Sequence, residues 1–133
     1  MTEQETINII NKKFKTKFVK MNNEFCDYDA TDEYSILEIK NRRKYFSDKL
    51  IECDKLFRND TNSKISNKRH YYVVTDKKGL WFFNITEIIN EIIKQKPQKR
   101  RCPITTDFNG DEIYIEKWCY FLKETDAKIN IKL

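Results

Sequence analysis

Glycine and proline are scarce in this sequence, which has two of each where average usage would give roughly 16 together in 133 residues. Gly79 and Gly110 cannot form a glycine-rich phosphate-binding loop, so the GxGxxG and Walker patterns are excluded. No apolar run approaches the roughly 20 residues that a membrane span needs, and the first residues do not resemble a signal peptide. We therefore expect an intracellular protein that is neither secreted nor membrane-bound.

Metal-binding cysteine and histidine patterns are also missing. The four cysteines are scattered without a CxxC pair, and one histidine, His70, cannot supply the paired spacing of a zinc site. We expect the cysteines to be reduced and mostly buried thiols. A nucleophilic triad would have to use His70, which stands at the entry to an apolar strand, so hydrolase chemistry of that type is not expected.

The remaining composition is that of a folded domain. Hydrophobic residues make up 39% of the chain and aromatic residues 14%, which predicts a single domain over residues 1–133. The net charge of +5 is compatible with an acidic partner such as nucleic acid. Lysine outnumbers arginine twenty to six, a bias typical of an AT-rich genome, so the lysine content alone says little about function.

Hydrophobic periodicity predicts alternating helices and strands. We expect a first helix over residues 3–13, a β-prone run over 34–40, a second helix over 45–58 and a polar loop over 59–68. A hairpin over 71–85 turns at Gly79, Thr86 caps a short third helix, and strands follow at 112–115 and 118–122. This order predicts an α/β (α+β) fold in which helices flank a mixed central sheet.

One constellation in the β-prone run can carry chemistry. Because side chains alternate along a strand, Glu38 and Lys40 share one face about 7 Å apart, while Leu37 and Ile39 point into the core. A carboxylate and an ammonium group at this spacing are also common as a solvated salt bridge on a strand face, and that alternative stays open.

Two aspartates precede the run and are expected on the same face. If residues 30–33 form a turn, Asp29 pairs with Tyr34 and Asp27 with Ile36, which places both carboxylates near Glu38. Converging carboxylates can hold a hard divalent cation, and a neighbouring lysine can orient a water molecule or offset phosphate charge.

The segment over residues 28–42, with Asp29 and then Glu38-Ile39-Lys40, resembles the core of the PD-(D/E)XK nuclease superfamily. The predicted order of elements over residues 3–75 is similar to the αβββαβ core of that restriction-endonuclease-like fold. No proline precedes either aspartate, which is a departure from the name-giving motif. The resemblance implies a Mg²⁺-dependent (or Mn²⁺-dependent) DNA endonuclease like small viral or phage members, which would act in the cytoplasm, viral factory or nucleus of a host.

The resemblance also implies roles for individual residues. Asp29 would be the metal-bridging aspartate, with Asp27 as the second candidate. Glu38 and the backbone carbonyl of Ile39 would complete the metal ligands, and Lys40 would position the attacking water or stabilise the transition state.

Two helices would supply auxiliary residues. An acidic residue on the first helix, Glu5 rather than Glu3, would support the site. A basic residue on the second helix, either Lys49 or Lys55, would line it.

Two basic clusters are candidates for contacts with nucleic acid. An arginine is more informative than a lysine in this chain, because arginine is scarce and binds phosphate through two donors. The candidates are Arg42, Arg43 and Lys44 after the motif strand, and Lys99, Arg100 and Arg101 near the C-terminus.

DNA is the expected partner, and so small a domain is expected to act as a homodimer or with a partner protein. The alternative function is a non-catalytic nucleic-acid-binding or assembly protein that uses the same fold. Cleavage of RNA on the same scaffold cannot be separated from cleavage of DNA by sequence alone.

Overall fold

The computed structural model describes residues 1–103 and 114–133. Over these residues the chain alternates between helices and strands, with one 3₁₀ turn at Glu124–Asp126. In chain order the elements are α1 (Glu3–Phe14), β1 (Val19–Lys20), β2 (Ala30–Thr31), β3 (Ser35–Asn41), β4 (Asp48–Glu52), α2 (Cys53–Ser66), β5 (Arg69–Asp76), β6 (Gly79–Asn84), α3 (Ile85–Ile92), β7 (Gln98–Pro103), β8 (Tyr114–Lys123) and β9 (Ile129–Ile131).

The strands form two sheets. The main sheet has the order β1-β2-β3-β5-β6-β9, and the small sheet has the order β4-β8-β7. β3 and β5 are parallel, because α2 returns the chain to the same end of the sheet, while the other neighbours in the main sheet are antiparallel. The predicted α/β fold with a mixed central sheet flanked by helices is confirmed, and β4 is an additional strand inside the predicted αβββαβ order.

Apolar clusters cover both faces of the main sheet. On one face Leu37 and Ile39 of β3 pack against Ile7 and Ile10 of α1. Each such buried side chain stabilises the fold by roughly 1.5 to 3 kcal/mol. The cluster on the other face joins the main sheet to α2, α3 and the small sheet through Ile51, Leu56, Tyr72, Val74, Trp81, Phe83, Ile85, Ile92, Tyr120 and Leu122.

The second helix was predicted wrongly. Residues 48–52 form β4, and α2 occupies Cys53–Ser66, most of which was predicted as a polar loop. The buried face of α2 contains Asn59 and Ser63 beside Leu56, so its apolar period is too weak to see in the sequence.

The turn before β3 was also placed wrongly. Ala30 pairs with Leu37 and Thr31 with Ile36, so residues 30 and 31 belong to a strand. Ala30 is fully buried, and the turn forms later, where a side-chain oxygen of Asp32 accepts the Tyr34 N–H at 2.9 Å.

Most other local predictions hold. α1 and the β5–β6 hairpin lie where they were expected. Gly79 has a φ of 150°, and a Cβ at this position would collide with the Ile131 carbonyl oxygen. Asn84 rather than Thr86 caps α3. The two last predicted strands are one strand from residue 114 onward, and residues 112 and 113 lie outside the described residues. Within the described part of the chain, no helix is long and apolar enough to cross a membrane.

Lys49 is a structural residue in this fold. Its side chain is 2% exposed, and its Nζ lies 3.0 Å from Asp76 Oδ2 and 3.7 Å from the ring centroid of Trp81. Asp76 is equally buried. The ion pair joins β4 of the small sheet to the end of β5 in the main sheet. Lys49 therefore belongs to β4 and a buried ion pair, and not to the second helix, where it was expected.

We predict that Lys49→Ala lowers the free energy of unfolding by about 3 to 5 kcal/mol, because Asp76 would remain as a buried carboxylate without its cation. Lys94→Ala is the control, since the exposed Lys94–Glu91 pair should contribute less than about 1 kcal/mol. Urea denaturation measures both values. The double variant Lys49→Met with Asp76→Asn should recover part of the loss. Equal stability of Lys49→Ala and Lys94→Ala would contradict the structural role of Lys49.

Candidate active site

Glu38 and Lys40 lie together on β3, as alternation along the strand predicts. Lys40 Nζ is 3.9 Å from Glu38 Oε1, and Glu38 is 3% exposed. Leu37 and Ile39 point to the opposite face and are buried against α1. The motif strand therefore carries its polar pair on the face that α2 and the small sheet cover.

Asp29 joins this pair from the adjoining segment of chain. Its backbone N–H donates to the Leu37 carbonyl at 2.9 Å, and its Oδ2 accepts the Ile39 N–H at 2.7 Å. β2 pairs with β3 only as far as Leu37. Beyond that pair, the Asp29 side chain accepts the Ile39 N–H in place of a backbone carbonyl of a neighbouring strand. The Ile39 carbonyl lies on the same edge as its N–H, because both groups of one strand residue face the same neighbour.

The two carboxyl groups perturb each other. Burial, reinforced by the neighbouring Asp29 carboxylate, raises the pKa of Glu38 to about 8, although Lys40 and Lys55 act in the opposite direction. Burial also raises the pKa of Asp29, which the Ile39 hydrogen bond and the two lysines partly offset. A buried carboxyl pair of this kind is typical of functional sites.

The oxygen atoms at this edge suit a hard divalent cation. Over the residues that the structure describes, Glu38 Oε2 is buried without a hydrogen-bond partner. Asp29, Glu38 and the Ile39 carbonyl offer the oxygen ligands that Mg²⁺ and Mn²⁺ prefer. Among the described residues, no group of three histidine, cysteine or acidic side chains forms a metal cluster. The residues present fit a cation held by two carboxylates, a backbone carbonyl and water.

Two further residues border the site. Lys55 belongs to α2, and Asp27 belongs to the segment before β2. Lys55 Nζ lies 3.4 Å from the Asp27 carbonyl oxygen, and its charge acts on both Asp29 and Glu38. The Asp27 carboxylate instead contacts α2, 3.5 Å from Arg58 Nη1 and 3.3 Å from Asn62 Nδ2. The structure thus brings Asp29, and not the Asp27 carboxylate, to Glu38.

Glu5 lies apart from this group. It is exposed on α1, the helix that packs on the opposite face of the main sheet, and its backbone N–H donates to the capping Thr2 side chain. The expectation that Glu5 supports the metal site finds no contact among the described residues.

Sequence reasoning missed a second ion pair beside the site. Lys117 Nζ is 2.6 Å from Glu52 Oε1, and both residues belong to the small sheet. Burial opposes ionisation of Glu52, but Lys117, Lys40 and Lys55 together lower its pKa. Only the pairing of Glu52 with Cys119 across β4 and β8 brings the two charges together, so no local pattern could have revealed them.

The two predicted basic clusters meet around one groove of about 720 Å³. Arg42 is half buried, and its Nη2 donates to the Leu50 carbonyl at 3.3 Å. Lys99 lies outside the groove lining, with its Nζ 5.1 Å from the ring centroid of Trp118. The basic residues that line the groove are Arg42, Arg43, Lys44, Lys49, Arg100 and Arg101, and the ammonium group of Lys49 is already paired with Asp76.

No family model and no curated protein matches this sequence. Among solved structures, the fold is similar to that of Hjc from Archaeoglobus fulgidus, a Holliday junction resolvase from an archaeal hyperthermophile. The match has a TM-score of 0.55 at 10% sequence identity, and it covers 96% of this chain and 94% of the resolvase. At this identity the likeness shows a shared fold.

We predict that the stability of the metal-free protein falls as pH rises toward 8.5. The folded-state pKa of Glu38 is raised, so its favourable contribution is complete below about pH 4.5 and is lost as pH rises through about 8. The loss between pH 6 and 8.5 should be on the order of 2 kcal/mol. Glu38→Gln should remove this pH dependence in urea denaturation with EDTA.

Glu33→Gln is the matched control, because Glu33 is an exposed acid in the turn before β3. It should retain the wild-type pH dependence. A parallel loss of stability in Glu38→Gln and the wild type would contradict the assignment of the effect to Glu38.

Proposed function

We propose that this protein is a nuclease that hydrolyses phosphodiester bonds in DNA with the help of a divalent cation. The observation that carries the proposal is the meeting of the buried Asp29 and Glu38 carboxyl groups beside Lys40 at one edge of β3. The shared fold with a Holliday junction resolvase supports the same class of activity. The resemblance of residues 28–42 to the PD-(D/E)XK motif supports it independently.

Asp29, Glu38 and the Ile39 carbonyl would hold Mg²⁺ or Mn²⁺. Such a cation lowers the pKa of bound water and polarises the phosphate when it is present. Glu38 has to lose its proton to act as a ligand, so binding of the cation is coupled to release of that proton. Glu38 Oε2, which has no hydrogen-bond partner in the described part of the chain, would then be a ligand of the cation.

Lys40 and Lys55 supply the positive charge of the site. The Lys40 ammonium group would orient the attacking water or stabilise the charge that develops on the phosphate. Lys55 reaches the same carboxyl groups from α2 and limits the cost of two negative charges in a buried position. Glu52, which forms an ion pair with Lys117, also interacts with the positive charge of Lys40.

The basic groove is the proposed path of the DNA backbone. Its arginines and Lys44 line the groove and can neutralise phosphates without reading the sequence. A chain of 133 residues offers little surface for further recognition, and we propose a homodimer or a partner protein for that reason.

The alternative is a nucleic-acid-binding or assembly protein that does not cut. Under that alternative, the carboxyl groups and lysines serve only the fold, and divalent cations do not change the state of bound DNA.

We predict that the purified protein nicks supercoiled plasmid in Mg²⁺ or Mn²⁺ and not in EDTA. Glu38→Ala and Lys40→Ala should each lower the rate at least about 100-fold, because each removes a group that acts in the transition state. The exposed residues Glu33 and Lys77 supply the controls Glu33→Ala and Lys77→Ala, which should cut like the wild type. No cutting in either metal, with DNA binding intact in all variants, would establish the alternative.

We predict that Asp29→Asn loses cutting to the same extent as Glu38→Ala, whereas Asp27→Asn keeps at least about a tenth of the rate. Asp29 contacts Ile39 and Glu38, while the Asp27 carboxylate contacts α2. The same plasmid assay, with circular dichroism to verify folding, measures both variants. Equal loss in both would contradict the separation of their roles.

A further inference from the structure

One face of the β7–β8 hairpin carries cations and aromatic rings side by side. Residues that pair directly across antiparallel strands share a face, and alternate pairs belong to the same face. Lys99 is opposite Trp118, and Arg101 is opposite Glu116. Tyr114, which is opposite Pro103, lies on the same face. We call Lys99, Arg101, Tyr114, Glu116 and Trp118 the hairpin face.

Both rings of the hairpin face are open to solvent. Trp118 is 53% exposed and Tyr114 is 44% exposed, whereas Trp81 in the main sheet is 4% exposed. Lys99 Nζ lies 5.1 Å from the Trp118 ring centroid, and Arg101 Cζ lies 5.3 Å from the Tyr114 ring centroid. Two ring-and-cation pairs therefore follow one another along the hairpin.

Along β8, the residues on this side of the small sheet change from exposed to buried. Tyr120 and Leu122, which point to the same side as Trp118, belong to the apolar cluster beneath the main sheet. The hairpin extends this side beyond the core, where Trp118 and Tyr114 remain exposed. Both rings are thus carried by a strand that is paired with β7, and a site on a paired strand is positioned more precisely than one on a loop.

We propose that the hairpin face binds an unpaired strand of DNA, with bases stacked on Trp118 and Tyr114 and phosphates paired with Lys99 and Arg101. Stacking on aromatic side chains combined with a cationic track is how proteins hold single strands without sequence preference. A duplex conceals the faces of its bases, so it cannot use the rings. Glu116 is the acid on this face and limits its affinity for phosphate.

Strand β8 carries the hairpin face on one side and, on the other side, an ion pair beside the candidate active site. Lys117, the neighbour of Trp118 in β8, points to the other side and contacts Glu52, whose carboxylate interacts with Lys40. Together with the proposed nuclease function, on which this step rests, the hairpin face gives DNA with an unpaired segment as the substrate class.

Tryptophan fluorescence tests the binding directly, without cleavage. Trp81 and Trp118 are the two tryptophans of the chain, and Trp81 is buried. Titration with a short oligothymidylate in EDTA should quench the emission, and the quenching should be absent in Trp118→Phe. Trp118→Ala should weaken binding roughly 5- to 150-fold, as expected for the loss of one stacked base.

Charge variants give a second, independent measurement. Lys99→Ala should weaken binding and lower the salt dependence by about one phosphate contact, whereas Glu116→Gln should tighten binding. Tyr34→Ala and Lys94→Ala are the controls, because Tyr34 is 68% exposed in the turn before β3 and Lys94 pairs on the surface with Glu91. Circular dichroism verifies that every variant is folded.

The results separate this proposal from the proposed function. Quenching that requires Trp118, in a protein that does not cut DNA, would support the hairpin face and refute the nuclease. Cutting that is lost in Glu38→Ala, with no quenching and equal binding by Trp118→Ala, would overturn the hairpin face alone. Equal affinity for a blunt duplex and for the oligothymidylate, both independent of Trp118, would overturn it as well.

Discussion

Burial of the Glu38 carboxyl group beside Asp29 is the constraint on which the candidate site depends. Burial of Glu38, reinforced by the charge of the Asp29 carboxylate, raises the pKa of Glu38 to about 8. The Ile39 N–H, Lys40 and Lys55 offset part of that cost. The apolar clusters on the two faces of the main sheet hold the pair in place, so the fold maintains an arrangement that the isolated residues would not adopt.

The small sheet decides what surrounds this pair. Its strand β4 is joined to the main sheet by the buried ion pair of Lys49 and Asp76, and its strand β8 presents Lys117 to Glu52. The same sheet brings β7 to the rim of the basic groove and carries the hairpin face into solvent. One buried lysine therefore connects the stability of the fold with the position of the proposed DNA-binding surfaces.

Sequence patterns predicted those elements whose apolar residues recur with a clear period and failed where the buried residues show no such period. α1, β3 and the β5–β6 hairpin have clear periods, and each was found where it was expected. α2 was misplaced because Asn59 and Ser63 occupy its inner face. The register before β3 was missed because a fully buried Ala30, rather than the polar residues around it, decides which residues pair.

The sequence by itself determined that Glu38 and Lys40 share one face of a strand while Leu37 and Ile39 occupy the other, because this alternation is a property of the local backbone. Only the tertiary structure decided that the Asp29 carboxylate reaches Glu38, and that the ion pair of Glu52 and Lys117 interacts with Lys40. Those contacts depend on strand register and on the packing of two sheets. Both are fixed by the burial of residues that are far apart along the chain.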